Sequence, residues 1–217
     1  MGMNCGCPAG AHITDLPNST CKESLGQIQK VIFQRIYASA GVKNVISSNI
    51  GKLATWTALF SASGNTKMTI SPYLNNPSTE PGAARTFGGG NQTVNGIELV
   101  IGREATSFSG AFYQESQAII AAMKDYMCEE IGVFLIDENG NIAGDNAGVV
   151  AGTSIAPIPI HKLFIGDKKL GGLEEVDSNA IEWAFKPNWS DSLNILKRAS
   201  LEFDPLTELV NVASQQV

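Results

Sequence analysis

Residues 112–144 read FYQESQAIIAAMKDYMCEEIGVFLIDENGNIAG, and the hydrophobic period changes inside them. Ala118, Ile119, Ala122, Met123, Tyr126 and Met127 fall at i, i+1, i+4, i+5, i+8 and i+9, on one side of a helix. The spacing predicts a principal helix over about 113–130, packed on a sheet through Ile119, Met123 and Tyr126. At Ile131 the pattern turns into a short apolar run, Val133-Phe134-Leu135-Ile136, rich in strand formers. Asp137-Glu138-Asn139-Gly140-Asn141 then supplies turn chemistry, with Gly140 free to take positive φ. One amphipathic helix therefore feeds a buried strand and a tight hairpin, and the other strands must pack around them.

Working back toward the N-terminus, residues 27–37 carry Ile28, Val31, Ile32 and Phe33, a strand with one largely buried face. Residues 42–47 extend that sheet. Ile50, Leu53, Trp56, Thr57 and Phe60 have helical spacing and predict a shorter helix at about 49–62, capped by Ser48 or Asn49. Residues 66–73 read as a strand. Residues 74–95 show no period and contain Pro77, Pro81 and Gly88-Gly89-Gly90. A loop of this length is usually functional or interfacial, so it is expected to be a long extended arm. Residues 96–102, GIELVIG, resume as a strand, and residues 103–110 lead to the principal helix.

Toward the C-terminus, residues 155–165 alternate around Pro157 and Pro159, which demote the first part to an edge or an arm. Residues 167–172 read as a turn. Ile181, Trp183 and Phe185 share one strand face; residues 193–201 form the last core strand, and Asp204-Pro205 opens a short tail. The fold class expected is mainly β with α: an antiparallel β-sandwich or small barrel, flanked by the principal and the shorter helix. Residues 1–24 form an irregular segment, and residues 25–217 one β-rich domain bearing the arm.

The 217 residues suffice for one sizeable core, and at 43% hydrophobic and 17% charged the chain is too apolar for disorder. So few charges suit a surface covered by neighbours. The net charge of −6 excludes a general electrostatic footprint on nucleic acid. No apolar run has the length of a membrane span, and the first residues lack the basic and apolar regions of a secretory signal.

Cys5, Cys7, His12 and Cys21 are the residues most suited to holding a metal. Their spacing, C-x-C-x4-H-x8-C, is not that of the common zinc modules, and neither metal nor other cofactor is expected. Cys128, beside the apolar helix face, reads as a small buried residue. Asp137, Asn139, Asn141 and Asp145 suggest a calcium loop, but the sixth and twelfth positions hold Ile142 and Gly148 in place of Gly and Glu. The triple glycine lacks the Gly-Lys-Ser/Thr continuation of a phosphate cradle. His161 has no neighbouring nucleophile pattern, so no catalytic residues are assigned and the chain is read as not an enzyme.

The order of elements resembles that of structural proteins of tailed bacteriophages, most nearly the tail tube proteins. The resemblance rests on the strand at 27–37, the arm at 74–95, the helix at 113–130 and the phrase IGVFLIDENGNIAG (131–144). The late strands IEWAFKPNWSDSLNILK (181–197) and the tail LEFDPLTEL (201–209) complete it. It implies a virion protein, made in a bacterial host's cytoplasm, whose copies form rings stacked into a tube for DNA. Its partners would be further copies and other virion proteins, with no sequence-specific DNA binding and no membrane. The arm, with Tyr73, Glu80, Arg85, Phe87 and Asn91, would contact a neighbouring subunit. The N-terminal cysteines and the shorter helix depart from a minimal tube protein, leaving a head-decoration, neck or connector-ring role open. A carbohydrate-binding β module is a further alternative, marked by exposed Trp and Tyr along a groove.

Overall fold

The computed structural model describes residues 24–146 and 154–211. The chain enters β1 (Ile28–Arg35), makes a small ribbon of β2 (Tyr37–Ser39) and β3 (Val42–Lys43), and forms α1 (Leu53–Phe60). It continues through β4 (Met68–Ile70), β5 (Asn75–Glu80), β6 (Ala84–Gly88), β7 (Glu98–Arg103) and β8 (Thr106–Tyr113). Next come α2 (Gln117–Lys124), a 3-10 turn (Asp125–Cys128), β9 (Ile131–Asp137) and β10 (Ile142–Asp145). The chain ends in β11 (Ile158–Lys169), β12 (Ser178–Phe185) and β13 (Leu193–Leu196).

β9 organises the whole. Its seven residues are all buried, because the sheet is covered on both faces. Val133 and Leu135 point into a first core with Val31, Phe33, Phe108, Phe112 and Trp183. Phe134 and Ile136 point into a second core with Ile32, Trp56, Phe60, Leu196 and Phe203. A strand buried on both sides reads as a continuous apolar run, as this one does. Burying each of its large side chains stabilises the fold by about 1.5–3 kcal/mol.

The antiparallel sheet has nine strands, in the order β13-β10-β9-β11-β12-β8-β5, with β1 on β9 and β4 on β1. It does not close into a barrel. Backbone bonds from Leu74 N–H to Gln29 O (2.7 Å) and from Ser71 N–H to Val31 O (2.8 Å) hold the connection between β4 and β5 against β1. The mainly β expectation with two helices therefore holds.

Several boundaries differ from the expectation. The principal helix spans only 117–124, because residues 106–113 are a strand: Phe108, Gly110 and Phe112 alternate, and β8 pairs with β12 along its full length. Ser116 caps α2, its hydroxyl accepting from the Ala118 N–H. The buried helix residues are Ile120 and Met123, whereas Ile119 is 43% exposed. Tyr126 is half-buried, its ring 5.8 Å from Phe33 and its hydroxyl donating to Thr69 Oγ1. A helix of two turns followed by a tighter 3-10 turn does not keep one 3.6-residue stripe. Cys128 is exposed, not buried.

The shorter helix starts after Lys52 and has no side-chain cap; Asn49, at φ 51°, instead accepts from the Lys52 N–H through its carbonyl. β2 and β3 form a ribbon of their own and do not extend the main sheet. β11 lies inside the sheet despite Pro159. It pairs with β9 only at Ile158 and Pro159 and with β12 from Ile160 onward, so the proline falls at the junction of two ladders. It also runs on to Lys169 where a turn was expected. The C-terminal stretch is no loose tail: Phe203 and Leu209 are buried in the second core.

Candidate functional site

Residues 74–95 are not an irregular loop. β5 joins β8 at the margin of the sheet, and β6 then leaves the body and pairs only with β7. The arm is thus a two-stranded hairpin. Phe87 lies opposite Leu99 and Thr86 opposite Val100, and Ile101 is the extra residue of a bulge. The tip is shaped by left-handed backbone at Gly88, Gly89, Gly90, Asn95 and Gly96. Thr93 Oγ1 accepts from the Gly89 N–H and donates to Ile97 O, so the triple glycine serves a turn.

The hairpin is apolar on both faces, and no part of the described chain covers it. Phe87 is 53% exposed, Val94 84%, Ile97 55%, Val100 49% and Ile101 55%. A lone two-stranded hairpin is marginal in water, and bare apolar side chains on both faces mark a contact surface. Its base is held by Arg103, whose guanidinium donates to Asn188 Oδ1 at 2.8 Å, and by Arg85 facing Glu104 at 3.8 Å.

The five arm residues singled out from the sequence separate here. Phe87 and Asn91 are exposed on β6 and at the tip. Arg85 belongs to the base, and Glu80 lies at the end of β5. Tyr73 is fixed to the body: Lys30 Nζ sits 4.3 Å from its ring centre, and its hydroxyl donates to Leu206 O at 3.3 Å. Burial pushes the Lys30 ammonium below its usual pKa, against the opposing pull of Asp204. Val94 lies within the stretch 74–95 read as the arm without being singled out, and Ile97, Val100 and Ile101 fall in GIELVIG, which reads as a core strand. Its position just after Gly88-Gly89-Gly90 was the available signal.

Among the described residues, the other candidates are not brought together into a reactive centre. Asp137 is 0% exposed, and its carboxylate is fully engaged. Oδ1 accepts from the Asn139 and Asn141 N–H groups, and Oδ2 from the Gly26 N–H and Asn141 Nδ2. Burial works to raise its pKa, but these four donors together outweigh that and hold it below the usual aspartate value. A carboxylate so occupied serves a turn, not a cation.

A cleft at the arm's base is lined by Glu80, Arg103, Lys162 and Glu182 over Trp183, with charges of both signs, and His161 is not in its lining. Burial, with the charges of Lys162 and Lys186, lowers the His161 pKa. Among the described residues, no group of three or more His, Cys, Asp or Glu could hold a metal. Cys5, Cys7, His12 and Cys21 lie outside the described residues. Trp56 and Trp183 are buried, and Trp189 is half-buried with one face of its ring stacked on Phe185 at 4.2 Å. Among the described residues, no helix is long and apolar enough to cross a membrane.

No family model and no curated protein matches the chain. Among solved structures, it is similar to a chain of the tail of an empty GTA particle with C6 symmetry, at 12% identity and TM-score 0.33, over 58% of this chain and 87% of that one. It is similar to a chain of the virion of a native gene transfer agent particle, at 14% identity and TM-score 0.34, over 57% and 84%. A chain of the 6-fold symmetrised anti-feeding prophage baseplate aligns at 9% identity and TM-score 0.35, over 82% and 98%. At these TM-scores the likeness carries no argument about this chain's role.

Proposed function

We propose that this chain is a structural, non-enzymatic subunit of a tailed-bacteriophage virion, self-assembling head-to-tail into rings that stack as a tail tube. The observation that carries the reading is the β6–β7 hairpin, apolar on both faces and left largely exposed by the described residues of its own chain. The low charge fraction and the resemblance in element order support it. β5, at the margin of the sheet, is broken by a bulge and by Pro77, devices that blunt edge pairing, which leaves the hairpin as the contact element. A hairpin meeting a different surface on the next copy makes a heterologous contact, the kind that closes rings. A net charge of −6 keeps a lumen from trapping the like-charged DNA that slides through it.

The test removes the arm alone. The Glu104 N–H donates to Ala83 O at 2.8 Å, so the arm's two ends already meet. Replacing residues 84–103 by a short Gly-Ser link spares β5 and β8. Sedimentation and negative-stain microscopy should show rings or tubes for the intact chain and a folded monomer for the deletion. Single rings that never stack would favour the decoration, neck or connector role instead. Assembly of the deletion variant, or an intact chain that stays monomeric at high concentration, overturns the reading.

A further inference from the structure

We infer that the Thr93 hydroxyl holds the tip of the arm preformed and sets Val94 at its apex, an inference that rests on the self-assembly reading above. Val94 is the most exposed large apolar side chain of the arm, at 84%. It opens the short 3-10 turn Val94–Gly96, directly after Thr93.

Thr93 brackets that turn with three hydrogen bonds. Its Oγ1 accepts from the Gly89 N–H at 3.3 Å and donates to Ile97 O at 2.5 Å. Its carbonyl accepts from the Gly96 N–H at 3.1 Å. One residue thus ties the chain just after β6 to the chain just before β7, and Val94 projects between the fixed points.

The backbone is shaped to this contact. Gly88 has φ 114°, and a Cβ there would lie 2.7 Å from Thr93 Cγ2 and 2.5 Å from Ile97 O. The tip therefore closes on Thr93 only over a glycine. Gly89, Gly90, Asn95 and Gly96 share the positive φ. A tip so rich in glycine has much conformational freedom to lose when it orders. Ordering that waits for the partner subtracts from the association, whereas ordering already present in the free chain does not.

The base of the arm is fixed as well, by Arg103 on Asn188 and by the Glu104 N–H on Ala83 O. With the β6–β7 ladder between these ties and Thr93, the arm meets its neighbour already shaped. Thr93 is a positioning residue: it acts on assembly through Val94.

The test uses the full chain. Thr93→Val keeps the shape of the side chain and removes the hydroxyl, whereas Thr93→Ser keeps the hydroxyl. Thr93→Val should raise the concentration needed for assembly by about fivefold, and Thr93→Ser should assemble as wild type does. Val94→Ser, which removes the contact itself, should raise that concentration by about tenfold. The variant carrying both Thr93→Val and Val94→Ser should also stay near about tenfold, because the hydroxyl then has no apolar contact left to place. The tip lies outside both cores, so all four melting temperatures should fall within about 2 °C of wild type. Effects that multiply to about fiftyfold in the double variant overturn the positioning role and leave the assembly reading standing. So does Thr93→Val assembling at the wild-type concentration, or Thr93→Ser behaving as Thr93→Val does. An intact chain that never assembles overturns both.

Discussion

Replacing Asp137 by alanine removes the acceptor for four N–H groups, three of them from the backbone. Each hydrogen bond to a charged acceptor contributes about 1.5–3 kcal/mol, but the four share two oxygens and are not additive. Asn139 is exposed and Asn141 half-exposed, so water reaches those donors once the carboxylate is gone. The Gly26 N–H also loses the bond that ties the chain before β1 to the hairpin. The net loss should be about 3–4 kcal/mol, a lowering of roughly 10 °C in melting temperature for a chain of this size. Asparagine should do no better: each oxygen accepts two bonds, so its amide nitrogen faces two donors in either orientation.

The pH dependence follows from the same four bonds. The folded carboxyl has a lower pKa than the unfolded one. Its stabilisation is complete above the unfolded value of about 4 and is lost as pH falls through the folded value. Thermal unfolding followed by circular dichroism should therefore show the gap between wild type and Asp137→Ala narrowing below about pH 4. A melting temperature for Asp137→Asn within about 2 °C of wild type at pH 7, or a gap unchanged in acid, would refute the reasoning.

Met123→Asp should unfold the protein, since a buried unpaired charge costs several kcal/mol, whereas Ile119→Asp on the exposed side of the same helix should melt within about 2 °C of wild type. Gly132→Ala should lower stability by about 2 kcal/mol, read as a denaturant midpoint. A Cβ there would lie 2.8 Å from both Ile158 O and Pro157 Cβ, where β11 crosses close to β9. Treatment with a chelator should leave the melting temperature unchanged and release no stoichiometric zinc. Release of zinc that is lost with Cys5, Cys7 and Cys21 would assign that cluster a metal.

By itself, the sequence determined the elements whose burial is written in their own period. The apolar run at β9, the Asp-Glu-Asn-Gly turn and the alternation of Ile181, Trp183 and Phe185 were all legible, because local spacing reports which face leaves water. What covers that face was not legible. GIELVIG alternates as a core strand does, and only its pairing with β6 and the exposure of Ile97, Val100 and Ile101 show that, among the described residues, the body of the fold does not bury it. Helical spacing marked the apolar side of α2, but tertiary packing chose Ile120 over Ile119 as the residue to bury. Pro159 spoke for an edge, and the junction of two ladders overruled it. The acidic turn was visible locally, yet one of its four donors, the Gly26 N–H, comes from 111 residues away. Periodicity encodes the partition between water and core along a segment; the partner across the core, or across a subunit boundary, is set by contacts that no single segment contains.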